Sequence, residues 1–515
     1  MRACALVLVL VVAAGVAGAV ARSEHSSAAG HGRPPVVLLV FDEFPADALV
    51  GPDGRIDAAR FPNFAALART STWFRGATTV FDSTTKALPA ILDARAPRRG
   101  TSPGYEGHPV NVFTLFASLG YDVVAEEAVS PLCPPGVCPG SVPGTAEGVL
   151  DRLRGPDRHA RLRQWIASMR ARARPTLYMQ HALLPHEPWI YLPSGRRNRP
   201  PGKDPVGAVN RPIGFHDPQL TDHNHLRHLL QVGSVDHEIG LLIRRLRRAG
   251  MFDRALIAVV ADHGYSFEVG ASDRRQVSES NVEQIAPVPY FVKAPGQRRG
   301  RMDDRLVRTV DLLPTIADLL GARIPWPHAG RSAFAAATRR REAVRIPRRD
   351  FSRVISIGRA ELEARRREIR LWRARKFGSG ATSRLFYGDP WASAYRIGPN
   401  PELIGKTAPR EPPASPDVRA QLANARLLRD VRTDGPVYPT RVVGRLRGSP
   451  SGVMHDLAVA ANGRIEAVAR SFRLEGQPAE YFSVVLPETS LRPGRNRIQI
   501  LEVRSGGGLF SLGRF

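Results

Sequence analysis

Residues 36–44 read VVLLVFDEF: six apolar residues in succession, two acids, and a phenylalanine. An unbroken Val- and Leu-rich run closed by Asp42-Glu43 predicts a strand buried on both faces, as in a parallel sheet. A second such run, ALIAVVA at 255–261, ends in Asp262-His263-Gly264. Ahead of it, Val235, Ile239, Leu242, Ile243 and Leu246 recur on one face of a helix over 235–249, and Gly250 supplies the stop. A helix feeding a buried strand is the alternation of an α/β fold with a mostly parallel sheet flanked by helices. In open sheets of this class the active site lies beyond the carboxyl ends of the strands. Both acidic ends fall there. They can gather a divalent metal, or each can cap the helix that follows.

Outward from these strands the chain divides. Arg2 precedes an apolar run over residues 3–21 that ends Ala19-Val20-Ala21, the A-x-A form of a secretory signal. Its length also approaches the roughly 20 residues of a spanning helix, so residues 1–21 read as signal peptide or membrane anchor. Either reading places the rest outside the cytoplasm, secreted or N-terminally anchored. Residues 22–34 form a polar linker, and 35–345 an α/β domain. Residues 346–436 are an Arg-rich helix followed by an irregular connector. The Arg-rich part has a thin apolar face, which predicts an exposed helix. From 437 to 515 short alternating runs replace the helical pattern. LAVA, Asn462-Gly463 and RIEAVA mark a hairpin with a type I′ turn, and the tail reads as a small antiparallel β domain. Cys133 and Cys138 share the loop PLCPPGVCPG. In an oxidising compartment they predict a disulfide; a metal site would need further ligands close by.

The 515 residues carry a net charge of +26, with 74 Lys and Arg. Only five are Lys, and the Arg is scattered along the whole chain, as compositional bias and solubility would leave it. An anionic substrate or a membrane surface would also be attracted. A nucleic-acid binder would concentrate the charge on one element, so no nucleic-acid partner is expected. Gly and Pro have no fixed period, which excludes a fibrous chain.

The order of motifs resembles the sulfatase-like family of the alkaline phosphatase superfamily. VVLLVFDEF resembles its first metal-binding strand, and FDSTTKALPAILDAR (81–95) its nucleophile segment. SVDHEIGLLIRRLRRAGMFDRALIAVVADHG is similar to its helix–strand–DHG block. VPYFVKAPG (288–296) and VDLLPTIADLLG (310–321) follow in the family order. The resemblance implies an alkaline-phosphatase-like catalytic domain over 35–345 and one divalent cation, Mn, Mg, Ca or Zn, held by Asp42, Thr84, Asp262 and His263. It puts Thr84 at the nucleophile position; Thr85 or Ser83 would need a slip of one residue. HALLPHEPW (181–189) resembles the segment that brings a substrate-contacting His, here His186, and Lys293 matches a basic substrate-binding position. His223, His225 and Asp236 are available for a second metal but show no two-metal pattern.

The departures bear on substrate. Sulfatases use Cys or Ser in a C/S-x-P-S/A-R signature, whereas here Thr84-Thr85-Lys86-Ala87-Leu88 stands in its place. A threonine resembles the phosphoester-cleaving and phosphotransferring branches. The resemblance therefore implies a hydrolase or transferase acting on an anionic phosphoester or sulfate ester, with cell-envelope lipid or glycan among its partners. The other reading is a non-catalytic envelope- or glycan-binding protein on a degenerate scaffold.

Overall fold

Strand β1 (Val36–Asp42) is buried at every position. After it come α1 (Pro62–Ala68), β2 (Thr72–Phe74), the short β3 (Ala77–Thr78), α2 (Thr84–Asp93), α3 (Val112–Ser118) and β4 (Asp122–Glu126). The chain continues through α4 (Arg158–Ser168), β5 (Thr176–Pro185), α5 (Pro218–Arg248) and β6 (Leu256–Ala261). The α/β body closes with α6 (Val282–Ile285), β7 (Tyr290–Lys293), β8 (Arg301–Asp303), β9 (Val307–Arg308) and α7 (Leu312–Leu319). The computed structural model describes residues 32–138, 158–200 and 217–515, apart from 272, 433, 451 and 475–478. The apolar run 3–21 lies outside the described residues. Among the described residues no helix is long and apolar enough to cross a membrane.

The central sheet has seven strands in the order β4-β5-β1-β6-β7-β2-β8. Strands β4, β5, β1 and β6 are mutually parallel, and β7 runs antiparallel to β6 and β2. The period of two in β1 sends alternate side chains into separate cores. Val37, Leu39 and Phe41 join apolar residues of α4 and α5, while Val36, Leu38 and Val40 join those of α2, α3 and α7. This double burial is why the strand reads as a continuous apolar run.

Helix α5 is longer than its apolar periodicity predicts. It starts at Pro218, with the Asp217 carboxylate accepting from the Leu220 amide at 2.8 Å. Its first half buries polar residues, among them His223, Asn224, His225, Arg227 and His228, and these mask the helical pattern in the sequence.

Past the body, β10 (Ala343–Pro347) and β11 (Val354–Gly358) form a hairpin that leads into α8 (Arg359–Phe377) and α9 (Gly380–Tyr387). The exposed Arg-rich helix expected from the sequence is instead docked. Arg366 and Arg370 are buried and pair with the Asp47 carboxylate at 2.7 and 3.2 Å, and buried Arg373 donates to the Val50 carbonyl. The thin apolar face misleads because arginine, not leucine, makes the contact. The tail builds two four-stranded sheets. One is β12 (Arg419–Leu422), β13 (Arg441–Arg447), β17 (Glu480–Val485) and β16 (Phe472–Arg473). The other is β15 (Arg464–Arg470), β14 (Asp456–Ala461), β18 (Ile498–Val503) and β19 (Leu509–Arg514). Asn462 and Gly463 join β14 to β15 with φ of 52° and 90°, as a type I′ turn requires. Residues 34–515 make one compact unit, and apolar residues of the tail, such as Val442, Leu457 and Phe482, belong to the same core as Val37. Cys133 and Cys138 are joined by a disulfide.

Candidate active site

Strands β1 and β6 are neighbours in register, so their carboxyl ends deliver Asp42 and Asp262 side by side. Two backbone bonds pin the ends together: Asp262 donates to the Phe41 carbonyl at 3.0 Å and Phe44 to the His263 carbonyl at 2.8 Å. The glycine after His263 is required by packing. A Cβ on Gly264 would meet the Gln284 carbonyl oxygen at 2.4 Å, so any side chain would push α6 away. Glu43, next to Asp42, adopts a left-handed φ of 56°, uncommon outside glycine and a mark of a site whose surroundings hold the backbone in place.

Helix α2 brings the third component. Thr84 is its first residue, and its hydroxyl lies 3.3 Å from Asp42 Oδ1 and 3.3 Å from His263 Nε2. Thr85 is exposed and exchanges a hydrogen bond with Ser83. His263 Nδ1 donates to the Gly264 carbonyl at 2.9 Å, which turns Nε2 toward Thr84 and Asp262. Asp42, Asp262 and His263 offer ligand atoms within 4.8 Å of one another, all buried.

The electrostatics of this group suit a cation. Burial, and then the neighbouring Asp262 and Glu43 carboxylates, push the Asp42 carboxyl well up from its ordinary range. Burial likewise pushes Asp262 up to about 7. Its Oδ2 has no hydrogen-bond partner among the described residues. Two buried carboxylates that repel each other must share protons or a positive charge, and a divalent cation lets both ionise. The residues present could therefore hold one. Asp42 also stands within 4.8 Å of Glu43 and His186. There Arg274 already supplies the charge, at 2.9 Å from Glu43. Burial alone would raise the Glu43 carboxyl, but Arg274, His186 and Arg275 hold it well below its usual range. The first group is thus the better cation site.

His186 is fixed from both sides. Its Nδ1 bonds the Glu187 carbonyl at 2.7 Å and its Nε2 lies 3.3 Å from Glu43. Burial lowers its pKa to about 3, against the pull of the Glu43 carboxylate. The loop that carries it is held by Arg158, whose guanidinium donates to the Leu183, His186 and Pro188 carbonyls. Sequence reasoning missed Glu43, Arg158, Arg274 and His181 as parts of the site. His181 is fully buried, with Nε2 3.9 Å from Asp42, and burial lowers its pKa to about 3. Two signals were present: an acid directly after Asp42, and a second His in HALLPHEPW.

Lys293 is not brought to this site. Because β7 runs antiparallel, Lys293 pairs with Ile257 near the start of β6, while Asp262 follows its end. Its ammonium donates instead to the Asp253 and Ala294 carbonyls. The second-metal possibilities also disperse. His223 bonds Ser483 on β17, His225 stacks on Phe267, and Asp236 accepts from the first-turn amides of Asn63 and Phe64 on α1.

The family model described as Sulfatase matches residues 34–322, more than half of the chain. The chain belongs to the sulfatase family. It is 26% identical over 182 residues to the extracellular sulfatase SULF-1 homolog of Drosophila melanogaster, covering 33% of this chain and 16% of that protein. It is 30% identical over 104 residues to the endo-4-O-sulfatase of Bacteroides thetaiotaomicron, covering 20% of each. The matches thus span about a fifth or less of these relatives' length. Among solved structures, the phosphonate monoester hydrolase SpPMH from Silicibacter pomeroyi is similar at a TM-score of 0.43 and 20% identity, over 61% of this chain and 79% of that one.

Proposed function

We propose that this protein is an extracytoplasmic, metal-dependent hydrolase or transferase that cleaves a phosphoester, or a sulfate ester, with Thr84 as nucleophile. One observation carries the reading: the Thr84 hydroxyl, at the start of α2, sits between Asp42 and His263, while Thr85 turns to solvent. Asp42, Asp262, His263 and Thr84 would hold the cation. When bound, a divalent cation lowers the pKa of a ligated hydroxyl and neutralises ester oxygens. Asp42 and His263 orient Thr84 Oγ1. The Thr84 oxygen gives up its proton and bonds the phosphorus or sulfur as the bond to the leaving alcohol breaks, and the alcohol oxygen takes up a proton, so that none is lost overall. Water completes hydrolysis, or an acceptor alcohol completes transfer, by displacing Thr84 from the adduct. The start of α2 faces this centre, and the partial positive charge of a helix N-terminus favours the anionic ester. His186, fixed by Glu43 and the Glu187 carbonyl, offers a ring nitrogen within 4.8 Å of Asp42 and would contact the ester or its leaving group. The disulfide and the signal-like residues 3–21 support an oxidising, extracytoplasmic setting.

The test is a panel of phosphomonoesters, phosphodiesters and sulfate esters, assayed with and without added acceptor alcohol. After quenching, the Thr84 peptide is analysed by mass spectrometry. A phosphoryl or sulfuryl adduct on Thr84 supports the reading. Turnover with no adduct, undiminished in Thr84→Ala, would show that water attacks directly.

A further inference from the structure

Helix α9 leaves Leu385, Phe386 and Tyr387 exposed by 80%, 71% and 51%. Three consecutive large apolar residues in water are unusual on a folded surface unless they meet something. On the preceding α8, Leu371 and Trp372 are exposed as well. The two helices are held on a firm base. The buried Arg60 guanidinium donates to the Phe377, Gly378 and Pro390 carbonyls at 2.7, 2.9 and 2.9 Å, and the Gly380 amide donates to Asp57. The apolar tip is therefore presented by an anchored turn.

The bases free to meet an anionic surface here are Arg375 and Arg384, both exposed, with Arg396 over the Tyr387 ring at 5.5 Å; Arg370 and Arg373 are buried, and Lys376 pairs with Asp222. Arg375 is exposed and has no ion-pair partner among the described residues. Tryptophan, tyrosine and arginine beside leucine and phenylalanine is the composition that settles at a bilayer interface: apolar bodies enter the acyl boundary and cations remain with the headgroups. Trp372 of α8 is linked to the strand ends that carry Asp42 and Asp262. A series of ring contacts runs from Tyr265, two residues past His263, to Phe267 at 4.6 Å, His225 at 4.1 Å and Trp372 at 5.6 Å.

We infer that the α8–α9 tip is an interfacial docking surface that seats the protein on an anionic lipid bilayer. The inference concerns binding alone and does not depend on the chemistry of Thr84. Its test is hydrogen exchange on the full chain, alone, with phosphatidylcholine vesicles, and with vesicles of equal parts phosphatidylcholine and phosphatidylglycerol. Exchange reports by segment, so attachment through residues 3–21 leaves the 380–388 signal unchanged. Slowed exchange in 380–388 with the anionic vesicles, absent with phosphatidylcholine alone, is the expected result. Phe386→Ser should weaken vesicle binding about tenfold, with no change in melting temperature because the side chain is exposed. Unchanged exchange in 380–388 with both vesicles would overturn the inference. So would protection that appears without vesicles and grows with protein concentration, which would identify a second copy as the occupant.

Discussion

Thr84 and Thr85 have the same side chain, and position on the first turn of α2 separates them. One hydroxyl faces Asp42 and His263; the other faces Ser83 and solvent. Thr84→Ala should lower turnover by about a thousandfold or more while Thr84→Ser retains part of it, because serine keeps the hydroxyl at the same place. Circular dichroism of both variants should match the parent. His186→Ala should lose about 10²–10⁴-fold, measured as kcat/KM on the same ester. The sequence made the acids and the DHG triplet legible because they follow apolar runs. It pointed to Thr84 only through the register of the segment behind it. Glu43 was hidden because its role depends on Arg274, which lies far along the chain and is brought in by folding.

At the scale of elements, α8 shows how burial can be misread from composition. The helix lacks an apolar stripe, yet it docks through arginines around Asp47. Burial by itself would raise the Asp47 carboxyl, but Arg366 and then Arg370 and Arg373 lower it from its ordinary value. The stabilisation from this carboxylate is therefore complete above the unfolded pKa of about 4 and is lost as pH falls through the lower folded value. Asp47→Asn removes the buried carboxylate between Arg366 and Arg370, leaving them only the half-exposed Glu363, and should cost about 3–5 kcal/mol. Thermal melting of parent and variant from neutral to acid pH should show a gap that closes only at the acid end. Strand β7 gives the other lesson. The family resemblance implied a substrate-binding Lys293, but an antiparallel strand returns its end to the edge of the sheet opposite Asp42 and Asp262. Nothing in the local sequence reveals strand direction.

For the whole molecule, the cation site is a coupling between strands. A divalent ion bound by Asp42, Asp262 and His263 would join the ends of β1 and β6 to the start of α2, and it would bind the folded chain only. At a concentration 100 times its Kd it should add about 2.7 kcal/mol of stability. Calorimetry with and without added Mn, Mg, Ca or Zn should show a raised melting temperature for the ion that fits, and Asp262→Asn should abolish the rise. An unchanged melting temperature with every ion would count against the site.

The tail sheets and the catalytic sheet share one apolar core, from Val37 to Val442 and Phe482. This bears on how such a protein can change over generations. A recombination event that exchanged residues beyond 437 would import foreign side chains into an interface already fitted to β1 and α5. Such chimaeras would misfold and be purged. The tail should therefore be inherited together with the catalytic half, its substitutions tracking those of the residues it packs against, and should not circulate among genes as an independent cassette.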